Sequence, residues 1–249
     1  MTDLADETAQ PKQNARRGGR AARLERGTAK RAPMAERETV NAWSLAPGDS
    51  KDRTLIIACG AIIAELRQVI EMNRWTQFEL TGIPADYHVT PDRITAAVEA
   101  KIRAAKERYA RILVGYGDCG TRGSLDEMLA REGIERIEGA HCYAFFAGID
   151  AFNAMHEAEA GTFYLTDFLA RHFEAFSVRG LGIDKHPELK ELYFGNYRRV
   201  IYLAQMPTPE RIKRAEEIAA WFGVPLEVRD TGLVGLEAWM KAGVAEQEG

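Results

Sequence analysis

Short, continuous apolar runs alternate with segments of helical period along residues 55–228, and this alternation constrains the fold more than any other feature of the chain. Leu55-Ile56-Ile57-Ala58 has the length and composition of a strand buried on both faces. After Cys59-Gly60, the residues Ile62, Ile63, Leu66, Val69 and Ile70 recur at three- and four-residue spacing, one face of a helix. Trp75 to Leu80 reads as a second strand. Thr90-Pro91 reads as a helix start, with Thr as N-cap and Pro in the first turn. That helix carries Ile94, Val98, Ile102 and Ala105 on one side.

The pattern then repeats. Arg111 to Tyr116 reads as a third strand, Ser124 to Arg131 as a helix, and Ile134 to Gly139 as a fourth strand leading into Ala140-His141-Cys142. Tyr143 to Phe176 reads as mostly helical, with a break at Gly161-Thr162. Arg199 to Ala204 is a fifth strand, a helix starts at Pro207-Thr208-Pro209, and Pro225 to Val228 is a short sixth strand. Strands alternating with amphipathic helices predict an α/β domain over residues 51–249. Its sheet is expected to be mostly parallel, with helices on both faces, in a doubly wound, Rossmann-like arrangement. The likeness among the strand–helix–strand units is the generic grammar of such folds rather than a repeat.

Residues 1–50 differ in kind. Arg16, Arg17, Arg20, Arg23, Arg26 and Arg31 sit among Gly and Ala with few large apolar residues, so this stretch is expected to be a disordered tail. The tail is also the only place where nucleic acid, a membrane surface or an acidic partner would find a basic handle, since the whole 249-residue chain has a net charge of −4. No apolar run approaches the ~20 residues of a membrane span, and no apolar stretch near Met1 resembles a secretory signal. Three cysteines are too few and too scattered for a disulfide framework, which fits a reducing, cytoplasmic setting.

Those cysteines are the informative residues. In open parallel sheets, working groups collect at the carboxyl ends of the strands. Cys59 directly follows the first expected strand, Cys119 lies in the loop after the third, and Cys142 closes the fourth. His88 lies in the loop after the second. Parallel strands would bring these loops to one edge. Three thiolates with an imidazole are a donor set for Zn²⁺, and three thiolates with an open fourth position suit a [4Fe-4S] cluster. Free cysteines also pack as small apolar residues, and one of them acting as a reactive thiol is a further reading. His141 is expected to be structural, pointing away from Cys142 if the segment is a strand. Separately, Gly115, Gly117 and Gly120 fit a G-x-G-x-x-G spacing, which makes Gly117, Asp118, Gly120 and Arg122 candidates for holding the phosphates of a nucleotide or another small-molecule ligand.

The same residues carry a resemblance. Ile57-Ala58-Cys59-Gly60 with Gly82-Ile83-Pro84-Ala85-Asp86-Tyr87-His88, then Leu113 to Gly120, Ala140 to Gly148, Gly161 to Thr166 and Tyr193 to Arg199 form an ordered series of motifs. The series resembles the bacterial and archaeal family catalogued as domain of unknown function 1638. The resemblance implies a metal site at Cys59, Cys119, Cys142 and His88. Members often accompany corrinoid-dependent methyltransferases and their reactivating proteins. That association implies a role in one-carbon metabolism, with a corrinoid protein or methyltransferase as partner, either as a metal- or iron–sulfur-binding protein or as a non-enzymatic accessory module. A Rossmann-like nucleotide enzyme is the other reading. Tyr143-Ala144-Phe145-Phe146 replaces the family's usual aliphatic run, a departure expected to affect packing.

Overall fold

The computed structural model describes residues 50–245, with side chains to residue 243; the expected disordered tail lies outside the described residues. Six parallel strands and nine α-helices alternate along this span. The class is therefore α/β with parallel strands, as the alternation predicts, but the expected single sheet is two sheets of three strands each.

The first sheet has β1 (Ser50–Cys59) in the centre, between β2 (Phe78–Ile83) and β3 (Tyr109–Gly115). Leu55, Ile56, Ile57 and Ala58 are all buried, as a central strand flanked on both faces requires. Helices α1 (Ile63–Asn73) and α2 (Asp92–Ala105) make the crossovers. Ile94, Val98, Ile102 and Ala105 of α2 are buried, as their spacing predicts. Thr90 does not cap this helix with its side chain: Pro91 takes the cap position, and only the Thr90 carbonyl is used, by the Arg93 amide.

The fourth strand is where expectation and structure part. Residues 134–139 contribute one isolated bridge, Val114 to Arg136, rather than a strand. The physical reason is visible in the pattern, since the apolar residues Ile134 and Ile137 are three apart, whereas a strand face needs a period of two. The Arg136 guanidinium also turns back onto the carbonyls of Ile137 and Gly139 and pairs with Asp126.

After α3 (Ser124–Glu132), the short helices α4 (Cys142–Ala147) and α5 (Ile149–Ala158) carry the chain to the second sheet. Its first strand, β4 (Thr162–Thr166), falls inside the stretch expected to be helical. In Thr-Phe-Tyr-Leu-Thr every residue but Leu165 is β-branched or aromatic, a composition that fits a pleated surface. After α6 (Asp167–Phe173), which runs on as a π turn, and α7 (Leu189–Phe194), the centre is β5 (Arg199–Ala204). Helix α8 (Pro209–Phe222) then leads to β6 (Leu226–Asp230). The start of α8 matches its signal: Thr208 Oγ1 accepts from the Arg211 amide at 3.3 Å, with Pro209 in the first turn.

The last helix, α9 (Val234–Ala245), returns to the first sheet, where Leu236 and Met240 are fully buried in its core. It crosses α4 so closely that a Cβ on Gly235 would overlap the Phe145 carbonyl oxygen. In an open helix, Gly→Ala stabilises by ~1 kcal/mol. Here Gly235→Ala should instead destabilise, by about 1–3 kcal/mol, read as a lower urea midpoint. A raised midpoint would show that the two helices are not in contact there.

Candidate functional site

Cys59 is the last residue of β1 and is buried. The strand end is pinned to its neighbour by the Gly60 amide, which donates to the Ile83 carbonyl at 2.8 Å. This brings the turn after β2, a short 3-10 helix over Ala85–Val89, beside the thiol, with His88 Nδ1 3.8 Å from Cys59 Sγ. The Ala61 amide also points at this sulfur, at 3.4 Å. Tyr116 follows β3 and is 1% exposed, with its hydroxyl close to the Cys59 and Cys119 thiols.

Cys119 sits in a loop whose backbone is laid along the segment leading to Cys142. The Cys119 amide donates to the Ala140 carbonyl at 2.9 Å, and the Asp118 amide to the Gly139 carbonyl at 3.3 Å. Gly117 permits the approach, since a Cβ there would meet both carbonyl oxygens at 3.0 Å. Cys119 itself has φ 48°, the left-handed region that non-glycine residues rarely adopt. Such strain persists only when surrounding contacts impose it, and it often marks a working position. Cys142 opens α4; the residue is partly accessible while its thiol is enclosed.

The three thiols feel one another. Burial, then the Cys59 and Asp118 charges, push Cys119 up to about 12. Cys142 is pushed well above the ordinary thiol range by burial and then by Cys119, Cys59 and Glu65. Burial also raises Cys59. Desolvation of its ring, followed by the nearby His141, holds His88 below the ordinary histidine range. His141 thus stands near His88: it precedes a helix, so strand alternation does not turn it away. Among the described residues, no three His, Cys, Asp or Glu side chains are close enough to share a single ion.

The Gly-rich loop has another role. The Asp118 carboxylate accepts from the amides of Gly120 at 3.2 Å, Arg122 at 3.4 Å and Gly123 at 3.0 Å, and from Thr121 Oγ1 at 2.9 Å. Against a desolvation that raises it, these bonds hold the acid below its usual range. The amides that would cradle a phosphate are thus turned onto the loop's own carboxylate. Gly117, Asp118, Gly120 and Arg122 together build the frame that presents Cys119.

Two acidic residues emerge that periodicity and motif had not singled out. Asp167 begins α6, at the carboxyl end of β4, and is 1% exposed. It accepts from Tyr202 Oη at 2.7 Å, from the amides of Gln205 at 3.2 Å and Met206 at 3.0 Å, and from Arg211 Nη1 at 2.9 Å. Glu65, on α1, is 2% exposed, and its Oε2 has no hydrogen-bond partner. Its neighbours in electrostatic reach are Asp167, Arg171 and Arg211, and it acts in turn on Cys59, Cys142 and Tyr202. Glu65, in the first turn of α1 just after the carboxyl end of β1, is thus in electrostatic reach of groups at the carboxyl ends of both sheets. A signal for it was present, since Ile62, Glu65, Leu66 and Val69 share one helix face, and a charge on an apolar face is unusual.

Burial, followed by the Asp167 charge, pushes Glu65 up to about 7 from its ordinary 4.5. An acid raised in the folded state disfavours folding once ionised. The effect is absent below pH 4.5, grows as pH rises towards 7, and is complete above that, at about 3 kcal/mol. Glu65→Gln should therefore gain stability relative to the parent between pH 5 and pH 8. Urea midpoints of both proteins at the two pH values check this, and a constant difference would refute it.

No curated protein and no solved structure matches the chain. A family model does, over residues 82–240, well over half of the chain. The match includes His88, Cys119, Cys142, Asp167 and Arg211 and begins after Cys59 and Glu65. The chain belongs to the family described as "Protein of unknown function (DUF1638)".

Proposed function

We propose that Cys59, Cys119 and Cys142, with His88 beside them, hold a [4Fe-4S]-type cluster in a protein serving corrinoid-linked methyl transfer, with zinc as the alternative metal. One observation carries the reading: the thiols at the end of β1, in the loop after β3 and at the start of α4 come within electrostatic reach of one another, with His88 Nδ1 3.8 Å from Cys59 Sγ. A bound cluster with one open iron would supply a position for a small-molecule ligand or a path for electrons. The protein's own contribution is the low exposure of Cys59 and Cys119, the loop that Asp118 closes, and Tyr116 beside those two thiols. The one-carbon setting and the corrinoid protein or methyltransferase partner rest on the company that family members keep.

Anaerobic purification with elemental analysis tests the metal. About four irons and four sulfides per chain with a brown colour support the cluster, and about one zinc in colourless protein supports the alternative. Metal-free protein would favour a non-enzymatic accessory module and overturn the reading.

A further inference from the structure

We propose that the open edge of β6 is a self-association surface, on which a second copy of this chain adds its own β6 in antiparallel sense and joins the two three-stranded sheets into one. Among the described residues, β6 pairs on one side only, with β5. The Val200 amide donates to the Pro225 carbonyl and the Thr231 amide to the Ala204 carbonyl, each at 2.9 Å. Alternate residues of a strand turn their main-chain groups to the same side, so Glu227 and Arg229, which lie in step with Pro225 and Thr231, also face β5. Leu226, Val228 and Asp230 therefore aim their N–H and C=O groups away from it. Such a row is a template for another strand. At its middle stands Val228, a β-branched apolar residue that is 43% exposed.

Charge selects the occupant. Glu227 and Arg229 share one face of β6; Arg229 Nε lies 2.6 Å from Glu227 Oε1, and Arg199 Nη1 lies 3.5 Å from the other carboxylate oxygen. An antiparallel neighbour must match outward groups to outward groups, so the available registers differ by two residues. With Val228 opposite Val228, Leu226 bonds to Asp230, and Glu227 of each copy stands opposite Arg229 of the other. These are non-hydrogen-bonded pairs, in which the Cα atoms are only about 4.5 Å apart. Sliding two residues one way sets Glu227 against Glu227, and sliding the other way sets Arg229 against Arg229. Opposite charges across a strand pair stabilise and like charges destabilise, so a single register is favoured. Glu227 keeps Arg199 when Arg229 turns to the second copy. Edge strands are often protected by charge, but here the order of signs makes the edge complementary to itself under a two-fold rotation. The other edge strands lack this property: β2 carries only Glu79, β3 only Arg111, and β4 no charge. An edge this short falls below the ~800 Å² per partner of a standard interface, so the dimer is expected to be reversible.

Sedimentation equilibrium of the full chain over a wide range of concentration tests the surface. A monomer–dimer equilibrium that weakens with added salt is expected. Arg229→Glu should weaken dimerisation about tenfold or more, because both cross-strand pairs become like-charged, and Glu227→Lys should do the same. An equimolar mixture of these two variants should recover the dimer, since each offers the charge that the other lacks. Val228→Pro removes an outward N–H and should abolish the dimer while leaving the ladder to β5 in place. Circular dichroism confirms that each variant is folded. Parent protein that stays monomeric throughout would overturn the proposal. So would a dimer that survives in folded Arg229→Glu or Val228→Pro, or a mixture no more associated than its separate components.

Discussion

Replacing any one of Cys59, Cys119 or Cys142 by serine should lower the metal content of anaerobically purified protein by roughly tenfold or more. Changes to groups that merely support metal ligands already cost 10–100-fold in affinity, and loss of a thiolate removes a bond outright (the factors are about these sizes). If the three share one centre as proposed, the substitutions should act alike despite their different surroundings: Cys59 ends a buried strand, Cys119 sits in a strained loop, and Cys142 opens a helix. His88→Ala should have a smaller effect if the cluster takes three protein thiolates and keeps its fourth iron open. Asp118→Ala gives an internal control. It touches no proposed ligand directly but frees four donors in the loop that carries Cys119, so partial metal loss is expected. The measurement is iron, sulfide and zinc per chain, with circular dichroism to confirm folding. Parent-like metal in all three cysteine variants would mean that the thiols are packing residues, as free cysteines often are.

The strands that could be read from the sequence were those in which composition and periodicity agreed. Leu55 to Ala58 and Val200 to Ala204 are continuous apolar runs, and both lie in central strands. β4 escaped because five residues between long helical patterns give too short a window for a period to show. The fourth expected strand fails for the opposite reason: residues 134–139 have the length of a strand, but Ile134 and Ile137 are spaced by three. The split into two sheets could not be read at all. Nothing local to β3 or β5 says whether they pair, and the separation depends on where α4 and α5 lead the chain.

The site was legible in the same uneven way. Cys59 could be placed at a strand end and Cys119 in the loop after another, whereas Cys142 opens α4 instead of closing a strand, and whether the three approach depends on sheet order, which has no local signature. His141 was set aside on the assumption of strand alternation, which does not apply before a helix. The phosphate reading of the Gly-rich loop was reasonable from spacing. It did not anticipate that Asp118, within the motif itself, would take up the amides. Asp167 and Arg211 lie 44 residues apart, so their pairing is a tertiary fact without a local signature.

Asp167→Ala should destabilise the protein by about 3–5 kcal/mol, the largest stability effect expected of any single change considered. The carboxylate is fully enclosed and is the common acceptor for Tyr202, Gln205, Met206 and Arg211. Removing it strands the guanidinium of Arg211, whose side chain is 28% exposed, together with the buried Tyr202 hydroxyl. Each donor left unpaired costs about 1–3 kcal/mol, with partial relief where water can enter. Asp167→Asn separates charge from geometry: one oxygen can still accept while the charge opposite Arg211 is lost, so a smaller destabilisation is expected. Arg211→Met should also cost less than Asp167→Ala, because Asp167 then keeps three of its four donors and only one charge loses its mate. Urea unfolding of the three variants gives the order directly. Were Asp167→Ala no worse than Arg211→Met, the carboxylate would not be the hub that organises the carboxyl edge of the second sheet.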